Sequence, residues 1–386
     1  MAKRAKGFTN YTANLVRGMR RRWRAFRAQL RRDPVQIMPY DGYGTPEIFY
    51  IRGRVLEDKG VRSVGENDSL WTNLSTTYRR LESDEVPHAR LRIEFRDESV
   101  EVITNGEGYF QTECQLTPPL RQQESGQQAV WHQVHCSLLS GVPERLLPIE
   151  AIGQVLVPPP TAGYGVISDI DDTILQTHAT DLFKMIRLTF LQNAYTRLPF
   201  TGVATFYQAL QQGPQQFADS PIFYVSSSPW NLYDLLTDFM QLNDIPRGPL
   251  FLRDFGLNRQ LLGTSGHHGH KLTQIQRLLT TYPHLPFILI GDSGQEDPEI
   301  YREVVDQFPE RILAIYIRDV SLEGRDTEVD AIIQAVGANG VEMVRAADTV
   351  AAATHALQQG LIGAESLAKI RKASQKDRVP AEGWGL

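Results

Sequence analysis

Residues 165–173 read Gly-Val-Ile-Ser-Asp-Ile-Asp-Asp-Thr, and this stretch decides the fold of the C-terminal half of the chain. An apolar run ends there in three carboxylates and a hydroxyl. Two later apolar runs, Ile222–Val225 and Phe287–Ile290, also end in polar groups, at Ser226 and at Asp292. Apolar runs that alternate with helical patterns predict a parallel sheet covered on both faces. Ligands bind at the carboxyl ends of such strands, so the sequence predicts an α/β domain with a polar site at one sheet edge.

The acidic residues after the first strand have the composition of a phosphoryl-transfer site. Asp169 can attack phosphorus to form an aspartyl-phosphate, which divides hydrolysis into two easier displacements. Asp171 can protonate the leaving alkoxide and then deprotonate the attacking water. Thr173 and the backbone N–H groups of the same loop can bind phosphate oxygens. The pattern therefore predicts a phosphatase with Asp169 as nucleophile and Asp171 as general acid and base.

Two later segments complete the predicted site. Asp292 can form an oxygen-rich magnesium (Mg²⁺) site together with Asp169 and the carbonyl oxygen of Asp171. Such a metal neutralises the repulsion between a carboxylate nucleophile and an anionic substrate. Lys271, just before a helical pattern, can supply a positive charge to the phosphoryl group or to Asp169. We expect Asp297 to orient Lys271 or a water on the metal rather than to ligate the metal directly.

The order of these segments resembles the motifs of the haloacid dehalogenase superfamily. Residues 169–173 resemble motif I, Ser226 motif II, Lys271 motif III, and Asp292 with Asp297 motif IV. More narrowly, residues 168–174, 224–230, 291–299 and 315–320 are similar to the phosphatidate phosphatase domain named after the yeast actin-patch protein. The resemblance spans residues 160–325. It implies a Rossmann-like catalytic domain, phosphate binding by Ser226 and Ser227, and Mg²⁺-dependent release of phosphate from phosphatidate.

The short spacing between the motifs bears on the substrate. A helical pattern at residues 181–195 separates the first two motifs, and the next interval has room for one helix and one strand. We therefore expect a small lid or none, and an open site suits a large or interfacial substrate such as a phosphorylated lipid. A soluble or nucleic-acid phosphomonoester is the alternative substrate, with nucleic acid the less favoured partner. A catalytically idle protein that binds membranes or partners is a further alternative, and the complete set of acids argues against it.

Composition divides the chain into four predicted parts. They are a basic N-terminal segment (1–38), an all-β, sandwich-like domain (39–157), the phosphatase domain (163–365) and a C-terminal tail (366–386). The β domain is predicted from short runs rich in β-branched and aromatic residues, which are broken by turn formers such as Asn105-Gly106. It has no catalytic spacing, so we expect a packing or interaction module. Consecutive prolines at 158–160 predict a stiff linker between the domains.

Residues 1–36 predict a basic amphipathic helix. Residues 1–32 contain 11 of the 40 basic residues and no acidic residue, whereas the whole chain has a net charge of -5. A helix of this kind suggests peripheral contact with an anionic membrane. Docking onto the acidic body of the same protein, non-specific contact with nucleic acid and a disordered tail also fit the charge pattern. Its apolar face is predicted to consist of Leu15, Met19, Trp23, Phe26 and Leu30.

The remaining composition bears on the compartment. The chain is 41% hydrophobic and 22% charged, as is usual for a soluble globular protein. No apolar stretch approaches the roughly 20 residues that cross a bilayer, and the N-terminus lacks the pattern of a secretory signal. We therefore expect a cytoplasmic protein that is peripheral at the membrane if the basic segment binds there. Cys114 and Cys136 are expected to be buried thiols, with a single disulfide bond as the alternative.

Overall fold

The structure of the protein is a computed structural model. It describes residues 34–57, 85–120, 130–171, 173–174, 201–215, 220–253, 267–320 and 325–378. The helix predicted for residues 1–36 lies outside the described residues, except for positions 34–36. The helical pattern at 181–195 lies wholly outside them. Within the described ranges, no helix is both long and apolar enough to cross a membrane.

The N-terminal region consists of eight strands in one hydrogen-bonded sheet with the order β1-β3-β2-β8-β7-β4-β5, and β6 pairs with β3. Neighbouring strands are antiparallel, apart from the parallel pair β2 and β8. The strands are β1 (Val35–Pro39), β2 (Gly42–Gly44), β3 (Ile48–Glu57), β4 (Arg90–Phe95), β5 (Glu98–Ile103), β6 (Tyr109–Gln115), β7 (Val130–Ser140) and β8 (Glu150–Val157).

This sheet confirms a separate β-rich N-terminal region, but one continuous sheet replaces the two sheets of a sandwich. The cause is the length of β3, which pairs with β6 along one edge and with β1 and β2 along the other. β5 also lies against β6, so the sheet bends around a single apolar core that includes Phe49, Leu91 and Phe110. Cys114 and Cys136 are free thiols in this core, as expected, and burial raises the pKa of Cys136 to about 12.

The N-terminal boundary of this region differs from the prediction. The basic segment was expected to extend to residue 38, but β1 begins at Val35 and pairs with β3 along its whole length. Val35 and Ile37 point into the apolar core, with polar Gln36 between them. Alternation over so few residues is masked by the preceding run of arginines, so composition alone placed the boundary too late.

The C-terminal region contains a six-stranded parallel sheet with the order β11-β10-β9-β12-β13-β14, as predicted for an α/β domain. Its strands are β9 (Gly165–Ser168), β10 (Ile222–Pro229), β11 (Leu250–Arg253), β12 (Phe287–Asp292), β13 (Ile312–Arg318) and β14 (Glu342–Ala346). The described helices are α1 (Val203–Gln212), α2 (Tyr233–Leu242), α3 (His267–Thr281), α4 (Asp297–Gln307), α5 (Asp326–Ala338), α6 (Thr349–Gln358) and α7 (Ala364–Arg378).

The two faces of the parallel sheet carry separate apolar cores. Alternate residues of a strand point to opposite faces. Val166 therefore joins the core that contains residues of α1, α2, α6 and α7, and Ile167 joins the core that contains residues of α3, α4 and α5. Coverage on both faces explains why β9 and β12 are apolar at consecutive positions rather than at every second one.

The predicted C-terminal tail is wrong over residues 366–378, because these residues belong to α7. Leu367 and Ile370 are buried in the core shared with α6 and α1. Thr201 and Ser374 bring their hydroxyl oxygens within 3.2 Å of each other, which also joins α7 to the domain. The charged side chains that suggested a tail occupy the exposed face of the same helix, for example Lys372.

The two regions pack directly on each other. The short segment around β2 lies against the β10–β11 side of the parallel sheet, where Tyr43 contacts Phe223 and Phe251. The hydroxyl of Tyr282 donates to the carbonyl oxygen of Gly44 at 3.1 Å. Aromatic side chains of the N-terminal region are therefore part of the cores of the α/β domain.

We expect Ile370→Ala to lower the free energy of unfolding by about 2–5 kcal/mol, because it leaves a cavity in the core that α7 shares with α1 and α6. The control Lys372→Ala changes an exposed position of the same helix and should shift stability by no more than about 0.5 kcal/mol. Denaturant unfolding measures both. Equal, negligible effects would mean that this segment does not pack on the domain.

Candidate active site

The carboxyl ends of three neighbouring strands bring the predicted catalytic side chains together. β9 lies between β10 and β12, and Ser168 pairs with Ile290 across the ladder, so the strand ends are level. The N–H of Asp169 donates to the carbonyl oxygen of Ile290 at 2.9 Å, which fixes the backbone of the expected nucleophile. The buried polar side chains at this edge include Asp169, Asp171, Thr173, Ser226 and Asp292.

Lys271 reaches this edge from near the N-terminus of α3. Its ammonium nitrogen lies 2.9 Å from Oδ1 of Asp169 and 2.6 Å from Oδ1 of Asp297, and the residue is only 2% exposed. Burial by itself lowers the pKa of Lys271, but the carboxylates of Asp169 and Asp297 outweigh burial and raise it above its ordinary value. The ammonium therefore stays charged beside the expected nucleophile.

Asp171 is oriented by the serine that follows the apolar part of β10. The hydroxyl of Ser226 donates to Oδ2 of Asp171 at 2.8 Å and accepts from the N–H of Ser228 at 2.9 Å. Because both hydrogen bonds are buried, the carboxyl group of Asp171 and the Ser226–Ser228 backbone cannot move independently. A carboxyl group held in this way is suited to proton transfer at a fixed position.

Three buried hydroxyl oxygens near these carboxylates have no hydrogen-bond partner among the described residues. They belong to Thr173, Ser227 and Ser228. A buried hydroxyl left without a partner costs about 1–3 kcal/mol. Hydroxyl groups are donors to an anion such as phosphate, so a bound phosphoryl group would remove this cost. Thr173 and Ser227 were predicted as phosphate ligands, whereas Ser228 was missed although it continues the same run of serines.

A group of carboxylates at this edge fits a hard cation. Asp169, Asp292 and Asp297 are buried, and each offers an oxygen that lies within 4.8 Å of the others. Carboxylate oxygens are the donors that Mg²⁺ prefers. Both oxygens of Asp297 already accept hydrogen bonds, from Lys271 and from the N–H of Asp292. These hydrogen bonds fit the predicted supporting role of Asp297, and the assignment of Asp169 and Asp292 as direct carboxylate ligands stays a prediction.

The third predicted ligand, the carbonyl oxygen of Asp171, faces the same region. The side-chain amide nitrogen of Gln295 lies 3.4 Å from that carbonyl oxygen and 3.1 Å from Oδ2 of Asp292. Because the amide nitrogen of Gln295 contacts both, the carbonyl oxygen of Asp171 and Oδ2 of Asp292 lie close to each other. Gln295 was not predicted to have a role. Its signal in the sequence is its position three residues after Asp292, in the turn whose N–H groups bind Oδ1 of Asp292.

The electrostatics of the site also favour a cation. Burial raises the pKa of Asp169 well above its ordinary value; Lys271 opposes this, and Asp297 and Asp171 add to it. Burial likewise raises the pKa of Asp292 to about 7, and the nearby Asp297 contributes. One lysine does not balance several buried carboxylates. A divalent cation among them would restore the balance and keep the nucleophile ionised.

Tyr207 of α1 supports the backbone of the expected nucleophile, and no pattern in the sequence predicts this contact. Ser168 donates its hydroxyl hydrogen to the carbonyl oxygen of Asp169 at 2.7 Å. The hydroxyl oxygens of Tyr207 and Ser168 are 2.6 Å apart, so Tyr207 is the donor in this pair. This chain of two buried hydrogen bonds fixes the peptide group that follows the expected nucleophile.

Comparison with known proteins agrees with the geometry of this edge. Residues 164–319 match the family model described as phosphatidate phosphatase APP1, catalytic domain. The phosphatidate phosphatase APP1 of Saccharomyces cerevisiae is 39% identical over 157 residues, which are 40% of this chain and 26% of that protein. An uncharacterized protein of Schizosaccharomyces pombe is 29% identical over 160 residues, which are 41% of this chain and 25% of that protein.

These findings confirm the predicted resemblance to an APP1-type phosphatidate phosphatase domain over residues 164–319. The chain spans about a quarter of the length of the curated relatives that it matches. A solved structure of a carbohydrate acetylesterase from Xanthomonas citri aligns with 76% of this chain and 71% of its own. Its TM-score of 0.25, at 11% identity, is too low to indicate a common fold.

Gly291 allows Asp297 to approach the end of β12, which generates a prediction. A Cβ at residue 291 would lie 2.5 Å from Oδ2 and 2.7 Å from Cβ of Asp297, so alanine must displace that side chain. We expect Gly291→Ala to destabilise the protein by about 1–3 kcal/mol through overpacking.

Gly337→Ala is the control, because a Cβ at that position in α5 would meet nothing within 4 Å. Alanine should there be neutral or stabilising, by about 1 kcal/mol at most. Thermal melting of both variants measures the difference. A Gly291→Ala protein that is as stable as wild type would show that Asp297 can move at no cost.

Proposed function

We propose that this protein is a Mg²⁺-dependent phosphomonoester hydrolase of the haloacid dehalogenase type. In this proposal it acts through an aspartyl-phosphate on Asp169, and its favoured substrate is phosphatidate, which gives diacylglycerol and phosphate. One observation carries the proposal: the buried ion-paired group of Asp169, Lys271 and Asp297 lies at the carboxyl edge of a parallel sheet. The match of residues 164–319 to the catalytic domain of a phosphatidate phosphatase family supports it.

In the first displacement the carboxylate of Asp169 attacks phosphorus and the bond to the leaving oxygen breaks. Lys271 holds the Asp169 carboxylate from one side and favours its ionised form. The hydroxyls of Thr173, Ser227 and Ser228 supply donors for the phosphoryl oxygens. The proton that the leaving alkoxide requires comes from Asp171, which Ser226 holds in place.

In the second displacement Asp171 takes a proton from water, and the resulting nucleophile releases phosphate from Asp169. The same carboxyl group therefore serves both steps with opposite proton transfers. Mg²⁺, which Asp169, Asp292 and the carbonyl oxygen of Asp171 would hold, reduces the charge repulsion between the nucleophile and the anionic substrate when bound. Asp297 keeps Lys271 aligned and orders the backbone at Asp292.

Phosphatidate is favoured because the matched family and the yeast relative are both described as phosphatidate phosphatases. We extend the proposal to peripheral membrane contact through the basic residues 1–36, since an amphipathic basic segment suits an anionic lipid surface. A phosphate-release panel tests the substrate: phosphatidate in vesicles, a soluble sugar phosphate, and 3′- and 5′-phosphorylated oligonucleotides. Faster release from the sugar phosphate or an oligonucleotide than from phosphatidate would contradict the lipid assignment.

We expect Asp169→Asn to lower turnover by more than about 10³-fold, because a neutral amide cannot attack phosphorus. Asp171→Asn should cost about 10²-fold or more on an alkyl phosphate and much less on p-nitrophenyl phosphate, whose leaving group needs little protonation. Asp306→Asn, at an exposed position of α4, is the control and should retain wild-type rates. Equal losses on the two substrates would contradict the role of Asp171 as the acid.

We expect chelation to remove activity and Mg²⁺ to restore it, with Asp292→Ala requiring far more metal. A second readout is independent of turnover. Mg²⁺ that binds the folded state should raise the melting temperature of the wild-type protein and have little effect on Asp292→Ala. Undiminished activity after exhaustive chelation would contradict the metal requirement. Activation by Zn²⁺ instead of Mg²⁺ would contradict the oxygen-ligand assignment.

A further inference from the structure

The N-terminal region contacts Trp230, an aromatic residue close in the chain to the catalytic edge. This residue follows Ser226-Ser227-Ser228 after a single proline, and it is 7% exposed. Its ring is stacked with the ring of Tyr40, with centroids 5.1 Å apart and planes inclined by 7°. The guanidinium carbon of Arg52 lies 4.2 Å from the centroid of the Trp230 ring. Both contacting residues belong to the N-terminal region, outside the matched residues 164–319.

Tyr40 and Arg52 form one rigid contact surface for Trp230. The N–H of Tyr40 donates to the carbonyl oxygen of Arg52 at 2.8 Å, which joins the β1–β2 connection to β3. Tyr40 also stacks with Tyr233 at 4.1 Å, and Arg52 donates to the side chain of Gln111 at 3.3 Å. Trp230 therefore rests on side chains that are themselves fixed on several sides.

The serines before Trp230 lie where the β10 ladder is irregular. Val225 of β10 pairs with Phe251 of β11, and the next pair joins Pro229 to Arg253. The three serines between these two pairs stand opposite a single residue of β11 and therefore bulge out of the ladder. Bulges commonly occur beside active sites, where they redirect side chains. A bulged segment loses ladder hydrogen bonds, so its position depends on what anchors its two ends.

The serine bulge, residues 226–228, lies between the ladder pairs of Val225 and Pro229, and Trp230 directly follows Pro229. Ser226 in turn holds the carboxyl group of Asp171. A shift of Trp230 would therefore move the phosphate-binding hydroxyls and the general acid together. We infer that Tyr40 and Arg52 are positioning residues of the active site, through which the N-terminal β region holds the serine bulge in its phosphate-binding conformation. This inference rests on the proposed phosphatase function.

The competing explanation is that these contacts only dock the two regions together. A second contact in the same interface separates the two explanations. Arg247 pairs with Asp41 through two hydrogen bonds, of 2.6 and 2.7 Å, and no contact of Arg247 with Trp230 is found in the described part of the chain. If docking is the whole role, loss of Arg247 and loss of Arg52 should have similar consequences.

The experiment compares Arg52→Gln and Arg52→Lys with the control Arg247→Gln. Binding of inorganic phosphate in the presence of Mg²⁺ is measured by calorimetry, and KM and kcat are measured with p-nitrophenyl phosphate. We expect Arg52→Gln to weaken phosphate binding and raise KM by about tenfold, as loss of a cation–π contact at a desolvated ring allows. Arg52→Lys should recover most of both, because it keeps the positive charge. Arg247→Gln should leave both constants unchanged.

Melting temperatures show whether each variant is folded, so that weak binding is not confused with unfolding. Phosphate binding that is equal in Arg52→Gln and Arg247→Gln would overturn the inference, even if wild-type turnover is normal. Wild-type protein that binds phosphate but hydrolyses no phosphomonoester would instead contradict the proposed function, and the calorimetric comparison would still decide the role of Arg52. Absence of phosphate binding by the wild-type protein would overturn both.

Discussion

The buried ion-paired group of Asp169, Lys271 and Asp297 is the constraint on which the rest of the site depends. Removing charged groups from water costs several kcal/mol for each ion, and only close geometry with further hydrogen bonds offsets this cost. The surrounding sequence supplies that geometry. Gly291 lacks a side chain where Asp297 must approach, and the N–H of Asp292 binds the second oxygen of Asp297. The level ends of β9 and β12 then bring Asp169 and Asp292 to the same edge.

The same constraint leaves the site with an excess of negative charge. Lys271 contacts two carboxylates, while Asp171 and Asp292 are also buried at this edge. Burial raises the pKa values of Asp169 and Asp292, and the neighbouring carboxylates add to this effect. A protein can tolerate such strain where a cation and an anionic substrate complete the charge balance, and this is the usual situation at sites of phosphoryl transfer. The hydroxyls of Thr173, Ser227 and Ser228 have no partner in the part of the chain that the structure describes, and in the proposed reaction they would donate to the substrate's oxygens.

The sequence predicts those features of this protein that arise from local pattern. The apolar runs of β9, β10 and β12 are continuous because both sheet faces are covered, and their polar ends mark the site. The errors occur where tertiary contacts override composition. Val35 and Ile37 follow a basic run, yet they pair with β3, and Leu367 and Ile370 lie among charges, yet they fill a core. Tyr207 and Gln295 were missed because their partners are distant in the chain or depend on the shape of a turn.

The serine bulge shows why no local pattern could assign a role to the β region. Regular pairing would hold residues 226–228 firmly, but it would also engage their backbone and fix their side chains in the alternating directions of a strand. The bulge leaves the hydroxyls of Ser227 and Ser228 without a partner among the described residues, while the hydroxyl of Ser226 donates to Asp171. It also gives up regular pairing with β11 at these positions. Beyond the ladder pair of Pro229 with Arg253, packing adds support where Trp230 meets Tyr40 and Arg52. Tyr40 and Arg52 precede the matched residues 164–319 by more than a hundred positions. The catalytic domain contains all the motifs, and by our inference it still depends on a β region in which we find no catalytic motif.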